Sequence, residues 1–201
     1  MWSIIQAAGW PIWPLIFASV IALALIFERL WSLRQSAVAP VGMVDRVLAE
    51  YRVSGATPDL LARTARQGPL GRLLAAGLVN IKSPRPVVKE SIEEAGRFIT
   101  HDLDRFLTTL GTIAAMAPLL GLFGTVIGMI EIFGSQTAAG SNPIQLAHGI
   151  SIALYNTAFG LIVAIPSMIF YRHFRSKVDG LIVEMEQQAM RLVDVAHGDR
   201  S

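Results

Sequence analysis

Residues 106–130 read FLTTLGTIAAMAPLLGLFGTVIGMI, a run without Asp, Glu, Lys or Arg. A helix crosses about 30 Å of hydrocarbon with roughly 20 residues, so this run is long enough to span a membrane. Residues 11–27 (PIWPLIFASVIALALIF) and 149–171 (GISIALYNTAFGLIVAIPSMIFY) have the same character. The sequence therefore predicts an all-α membrane protein with three transmembrane helices.

The composition agrees with a membrane protein. Hydrophobic residues make up 53% of the 201-residue chain, charged residues make up 16%, and the mean hydropathy is +0.51. The hydrophobic fraction is higher and the charged fraction is lower than in an average soluble domain. The chain contains no cysteine, which excludes disulfides, thiolate metal sites and cysteine nucleophiles.

The first apolar segment has a secretory signal peptide as its alternative interpretation, because it is close to the N-terminus. A signal peptide begins with a basic region, and no Lys or Arg precedes this segment. Trp2, Trp10 and Trp13 flank its start, as in the aromatic belt at a membrane interface. We therefore interpret the segment as a retained transmembrane helix.

The basic residues predict the orientation of the three spans. All 17 Lys and Arg residues lie in 29–105 or 172–200. By the positive-inside rule these two regions are cytoplasmic and the N-terminus is outside. The expected organisation is 1–28 (outer N-terminus and first span), 29–105 (cytoplasmic helices), 106–132 (second span), 133–148 (short outer loop), 149–171 (third span) and 172–201 (cytoplasmic tail).

The cytoplasmic regions are predicted to be amphipathic helices. An apolar stripe with three- and four-residue spacing follows the third span, and residues 87–105 show a similar pattern before the second. We therefore expect both spans to continue into a cytoplasmic helical bundle as long rods. The stripes favour packing within the chain, with contact between subunits as the alternative. Shorter helices with turns are expected between 43 and 81, and the turns are predicted at Gly55, Pro58, 68–69, Gly71 and 83–86.

Recognisable catalytic and cofactor-binding motifs are absent from the sequence. It contains no Walker A loop, no dinucleotide-binding GxGxxG, no HExxH and no GxSxG. The four histidines are scattered without ligand spacing, and no basic run with interleaved aromatics suggests nucleic-acid binding. We expect no enzyme activity, cofactor or metal site. His148, near the outer start of the third span, is interpreted as an interfacial residue, with a proton relay as the alternative.

Small residues recur along the second and third spans at the spacing that lets membrane helices approach closely. Pro118 and Pro166 lie within these spans and are predicted to bend the helices. An ordinary tight bundle is the simpler interpretation of this pattern. The small residues are Gly121, Gly124 and Gly128 in the second span, and Ala153, Gly160 and Ala164 in the third.

Two hydroxyls and an amide suggest a polar path through the membrane. Thr125 lies six residues before Glu131, and Thr157 lies nine residues after His148. Antiparallel helices would place these threonines at a similar depth. A lone threonine in a membrane helix often bonds only its own backbone. Paired at one level, with Asn156 beside one of them, they could line an ion pathway.

The same spans resemble a known family. Residues 117–129 (APLLGLFGTVIGM) resemble the second-span motif of the ExbB/TolQ/MotA proton-channel family. Residues 149–151 (GIS), 157–161 (TAFGL) and 164–166 (AIP) resemble its third-span motif. The resemblance covers nearly the whole chain, and three spans favour the ExbB/TolQ branch over the four-span MotA branch.

The resemblance implies a stator subunit of an ion-driven motor in the bacterial inner membrane, with a periplasmic N-terminus. In this branch a pentamer surrounds the transmembrane helices of an ExbD/TolR-like dimer, and proton flow energises the envelope through a TonB-like protein. By motif position, Thr125 and Thr157 correspond to pore-facing threonines. The small residues are then expected to pack helices around the partner. The proton carrier is expected on the partner, since the apolar runs 11–27, 106–130 and 149–171 contain no carboxylate.

One position departs from the family pattern. Many members carry glutamate where this sequence has Ile152. We expect conduction not to need that carboxylate, with compensation by Glu131 or His148, or a divergent branch, as the alternatives. The alternative functions are a TolQ-like envelope motor and a non-conducting scaffold. The sequence does not decide between H⁺ and Na⁺.

Overall fold

The computed structural model describes residues 9–134 and 143–197, and every regular element in these two ranges is an α-helix. The predicted all-α class is confirmed. The helices are α1 (Ile12–Ser32), α2 (Gln35–Val38), α3 (Met43–Ser54), α4 (Pro58–Ala65), α5 (Pro69–Val79), α6 (Arg85–Asp104), α7 (Leu107–Gly134) and α8 (Pro143–Ala196).

Within residues 9–134 and 143–197, three helices are long and apolar enough to cross a membrane, in agreement with the predicted number of spans. They are α1, α7 and the part of α8 that starts at Gly149. Only 22%, 22% and 29% of their most apolar windows are buried within the chain. Exposed Phe17, Leu119 and Ile165 illustrate the result, since apolar faces of this extent need a non-aqueous environment. The faces fit contact with lipid or with other transmembrane helices.

The helices on both sides of the predicted outer loop extend further than expected. Helix α7 continues to Gly134, and α8 begins at Pro143, whereas the loop was predicted over 133–148. Phe133 and Gly134 extend the helix at one end. Proline is favoured in the first turn of a helix, which accounts for the earlier start at the other end.

The prediction that residues 87–105 and the second span form one continuous helix is wrong. Helix α6 ends at Asp104 and α7 begins at Leu107, so the helical hydrogen bonding is interrupted between the amphipathic segment and the span. Arg29 is buried, and its guanidinium donates to the Leu103 carbonyl at 3.0 Å. This bond satisfies a carbonyl in the last turn of α6, where helical partners run out. Helix α8, by contrast, runs without interruption from its span into its amphipathic part.

The described residues form two compact units. The first comprises the residues up to Glu28 and Phe106–His173, and the second comprises Arg29–Arg105 and the residues from Phe174 onward. In the second unit the predicted stripe of α8 is buried against the shorter helices, as the interpretation of packing within the chain predicts. Its buried members are Val178, Leu181, Met185, Ala189, Leu192 and Val193. The cytoplasmic location of this helical bundle stays a prediction.

The shorter helices follow the predicted turns except at Gly71. Gly55 and Gly68 adopt φ values of 70° and 107° between helices, a region that favours glycine. Gly71 instead lies inside α5. An added methyl group there would lie 2.1 Å from the Thr64 carbonyl oxygen, so this glycine allows two helices to approach rather than ending one.

Candidate functional site

Helices α7 and α8 approach so closely that two glycines lie against backbone. An added methyl group at Gly121 would lie 2.7 Å from the Asn156 carbonyl oxygen. One at Gly160 would lie 2.6 Å from the Ala117 carbonyl oxygen. Real Cβ atoms do not approach this closely, so only glycine fits at these positions in this arrangement.

Two further glycines of α7 extend this contact toward Gly134. Gly124 leaves room for the Asn156 side chain, because an added methyl group would lie 2.8 Å from the Asn156 Cγ. Gly128 faces Ala153, whose Cβ would lie 3.1 Å from the added methyl group. These small residues pack the helix pair of a single chain. Their packing around a partner stays a prediction.

Helix α1 joins the pair through a small apolar cluster. Leu15, Ala117 and Ala164 are 1%, 1% and 5% exposed and contact one another, so each spanning helix contributes one member. Leu120, Phe159 and Val163 pack around them. Ala164 therefore serves the packing of the three spans within the chain.

Asn156 is sealed between α7 and α8. It is 1% exposed and lies against Gly124. Polar side chains between membrane helices commonly stabilise the helix pair. The predicted role of Asn156 in lining an ion pathway finds no support in this position, because its side chain is not on an open face of the pair.

Thr125 is half-buried at the edge of the open face of α7. Its hydroxyl donates to the Leu122 carbonyl at 2.7 Å, the local bond common for threonine in membrane helices. The hydroxyl oxygen keeps acceptor capacity after donating this bond. Thr125 also borders an otherwise apolar depression of about 480 Å³, which is lined by Val126, Met129, Ile130 and Phe133.

Thr157 is also half-buried, and the packing of Gly121 fixes its level. An added methyl group at Gly121 would lie 3.0 Å from the Thr157 Cα. Thr125 lies four residues further along α7, a rise of about 6 Å. The two threonines are therefore about one helical turn apart in depth, close to the common level expected. Whether they face a pore stays a prediction.

The other residues that the sequence analysis singled out are the two prolines of the spans and three residues near the predicted outer loop. Pro118 and Pro166 lie inside α7 and α8 without ending them, and the predicted bends stay predictions. Glu131 is exposed near the end of α7. The side chains of His148 and Ile152 lie outside the described residues. Within the described part of the chain, no cluster of His, Cys, Asp or Glu is suited to a metal ion.

Two contacts of these helices are not predicted by the sequence patterns described above. Tyr171 packs over Gly111, where an added methyl group would lie 3.0 Å from the Tyr171 Cε2. Ser167 is 1% exposed and donates to the Val163 carbonyl at 2.7 Å. Gly111 precedes Gly121 in the same helix, so extending the search for small residues toward 106 would have found the first contact.

Comparison with known proteins places these helices in a family. The sequence profile of the MotA/TolQ/ExbB proton channel family matches residues 65–187, which is more than half of the chain. The chain belongs to this family. The matched region includes the whole α7–α8 contact described above and about half of the second unit. The resemblance predicted from the two span motifs is confirmed.

Relatives of this proton-channel family member carry two system names. The chain is 34% identical over 178 residues to an ExbB-like biopolymer transport protein of Synechocystis sp., covering 85% of this chain and 83% of the relative. It is 32% identical over 170 residues to biopolymer transport protein exbB1 of Vibrio cholerae, covering 81% and 74%. It is 29% identical over 204 residues to the Tol-Pal system protein TolQ of Pseudomonas aeruginosa, covering 90% and 86%.

Proposed function

We propose that this chain is an ExbB-like proton-channel stator subunit of an ion-driven motor in the bacterial inner membrane. It couples the proton-motive force, through a single-span ExbD-like partner, to TonB-dependent transport across the outer membrane. One observation carries the proposal: a member of a proton-channel family has half-buried Thr125 and Thr157 about one turn apart on a tightly packed helix pair.

The absence of Asp, Glu, Lys and Arg from the apolar runs of the spans defines what the chain contributes to conduction. Residues 11–27, 106–130 and 149–171 contain no Asp, Glu, Lys or Arg. Intramembrane proton transfer normally uses a titratable carrier, and a carboxylate is the usual one. The carrier therefore comes from the partner, and the hydroxyls of Thr125 and Thr157 solvate it. Each proton that crosses supplies about 2.3 kcal/mol per 100 mV.

The proposed assembly follows from the family resemblance and from the charge distribution. Five copies surround the transmembrane helices of a dimeric partner, with the N-terminus in the periplasm and both basic regions in the cytoplasm. All 17 Lys and Arg residues lie in those basic regions, which supports this orientation. The pore is then lined by open faces of α7 and α8, since the glycine-rich faces of these helices contact each other.

Replacing one hydroxyl tests the proposal. Thr157→Val keeps the shape of the side chain and removes its hydrogen bonding. We expect energised uptake to fall at least tenfold, about 1.4 kcal/mol in the limiting step, while the complex with the partner still assembles. Uptake is measured in cells at matched protein levels, and assembly is measured by copurification with the single-span partner.

Thr100→Val is the matched control. The Thr100 hydroxyl, like that of Thr125, donates to a carbonyl of its own helix, that of Gly96 at 2.8 Å, but it lies in α6 outside the spans. We expect this variant to keep normal uptake. Normal uptake in an assembled Thr157→Val complex would contradict a conducting role for the hydroxyl.

A TolQ-like envelope motor is the second candidate, and the match to a TolQ protein over 90% of this chain favours it. Deleting the gene and measuring two phenotypes separates the systems. Loss of TonB-dependent uptake supports the ExbB-like function. Detergent sensitivity with intact uptake supports the TolQ-like function. A non-conducting scaffold predicts that uncouplers have no effect on either phenotype.

A further inference from the structure

Helices α1 and α8 enclose a groove between their spanning segments. The groove has a volume of about 420 Å³, and its rim includes Leu23 and Ile162, which are 54% and 64% exposed. The groove is therefore open on the outer surface of the spanning helices rather than enclosed within the chain. Its walls are formed by Ile12, Leu15, Ile16, Ser19, Ala22, Leu23 and Ile26 of α1, and by Phe159, Ile162, Val163, Pro166 and Ser167 of α8.

The chemistry of the walls disfavours water as the occupant. Ten of the twelve lining residues are apolar, and the two exceptions are serines. The Ser19 hydroxyl donates to the Ile16 carbonyl at 2.7 Å, and the Ser167 hydroxyl donates to the Val163 carbonyl at 2.7 Å. A buried water needs two to four polar partners, and these hydroxyls have already used their protons. The groove therefore favours an apolar occupant.

The size of the wall side chains disfavours a transmembrane helix of a second copy. Close helix contacts in membranes use small residues, and this chain uses Gly121, Gly124 and Gly160 for the α7–α8 contact. The groove is instead lined mainly by branched or aromatic side chains such as Ile16 and Phe159. A flexible acyl chain can follow such uneven walls, whereas a helical backbone cannot come close to them.

Basic residues lie at the end of the groove where the headgroup of a phospholipid would be expected if its acyl chain filled the groove. Ile162, Pro166, Ile169 and His173 follow each other along one exposed stripe of α8 at three- and four-residue spacing. His173 and the neighbouring Arg172 are exposed at the end of this apolar stripe. Arg172 lies five residues beyond Ser167, about 7.5 Å along the helix. This basic end is suited to a lipid phosphate.

We propose that the groove between α1 and α8 binds one acyl chain of a phospholipid, which fills the space between the first and third spans. The headgroup lies at the level of Arg172 and His173. Binding of this lipid does not depend on the proposed ion conduction. It makes the lipid a structural part of the three-helix unit.

A photoactivatable phospholipid with a diazirine on its acyl chain tests the proposal in the unmodified protein. The full chain is reconstituted with this lipid, irradiated and digested, and the labelled residues are located by mass spectrometry. We expect label at Ile16, Ser19, Phe159 and Val163 to exceed label at exposed Phe17 by severalfold. Equal labelling of the groove and of the outer face of α1 would overturn the proposal.

A groove-filling variant provides a second test. Ser19→Leu adds apolar volume to the groove, and we expect the purified oligomer to retain severalfold less phospholipid after detergent washing. Val20→Leu is the control, because Val20 is 59% exposed and does not line the groove. Unchanged lipid content in a folded Ser19→Leu oligomer would contradict the proposal. Efficient photocross-linking between copies from a photoactivatable residue at Ile16, which lines the groove, would also overturn it, because a second chain would then occupy the groove.

Discussion

Glycines of the α7–α8 contact differ in what they face. Gly121 and Gly160 lie against backbone carbonyl oxygens, whereas Gly124 lies against the Asn156 side chain. A side chain can change its rotamer to accept a larger neighbour, but a helical backbone moves only when the whole helix shifts. The backbone-facing glycines are therefore the least replaceable residues of the site.

Gly160→Ala tests this difference at the residue scale. The new methyl group would lie 2.6 Å from the Ala117 carbonyl oxygen, so α7 and α8 must separate. We expect a loss of about 1–3 kcal/mol in the stability of the helix pair, because overpacking of a filled contact costs this much. The loss is measured as a lower unfolding temperature of the purified protein in detergent.

Gly180→Ala is the matched control on the same helix. No atom lies within 4 Å of a methyl group added there, so we expect a gain of up to about 1 kcal/mol from helix propensity. Opposite shifts in unfolding temperature are thus expected from the same substitution at two positions. A Gly160→Ala protein as stable as Gly180→Ala would show that the close contact does not exist in solution.

Helix α8 serves two environments along one uninterrupted element. Its first part is apolar enough to span a membrane, and its later part buries one stripe in a helical bundle. Burial of that stripe removes apolar surface from water, which is generally the main favourable contribution to folding.

Met185→Ala measures the contribution of the stripe. Met185 is fully buried, and truncating a buried Met to Ala costs about 2–5 kcal/mol. We expect earlier denaturant unfolding and faster proteolysis of the region outside the membrane. Val183, two residues away, is 54% exposed. The Val183→Ala control should therefore change the free energy of unfolding by less than about 0.5 kcal/mol. Similar losses in both variants would contradict the observed burial.

The sequence was sufficient to predict elements governed by periodicity or apolar length. The three spans and the stripe of α8 belong to this group, because each pattern is local. The break at Arg105 and the helical position of Gly71 were not predictable. They depend on Arg29 reaching the Leu103 carbonyl and on α5 approaching Thr64, which are contacts between distant or separate elements.

The candidate site was predictable only in part, for the same reason. Spacing identified Gly121, Gly124 and Gly160 as contact residues, but it did not show that their neighbours belong to the same chain. Asn156 was grouped with Thr157 because they are adjacent in sequence. On a helix adjacent residues point about 100° apart, and the structure places Asn156 in the sealed contact and leaves Thr157 half-buried.

At the scale of the whole molecule, charge is excluded from the apolar runs of the three spans. The net charge of +2 comes entirely from residues outside 11–27, 106–130 and 149–171. A chain with this distribution can shape a conduction path but has no carboxylate inside it to carry a proton. Function should therefore require a second protein.

Reconstitution tests this requirement. Proteoliposomes with this chain alone should show no proton flux above that of empty vesicles when a potential is applied, because the carrier is missing. Addition of the single-span partner should produce flux, measured with a pH-sensitive dye trapped inside the vesicles. Replacing H⁺ by Na⁺ gradients in the same vesicles identifies the ion. Flux through the chain alone would contradict the proposed division of labour.

The backbone contact of Gly160 with Ala117 also limits how such a pore can be re-engineered. Since these two backbones already touch, the distance between α7 and α8 has a lower bound that no substitution can reduce, and Gly160 tolerates no enlargement without separating the helices. In the proposed pore, the helix backbones can therefore be rearranged only through the number of subunits or the tilt between them. Each α7–α8 pair would then act as a rigid unit of constant width in the wall of the pore.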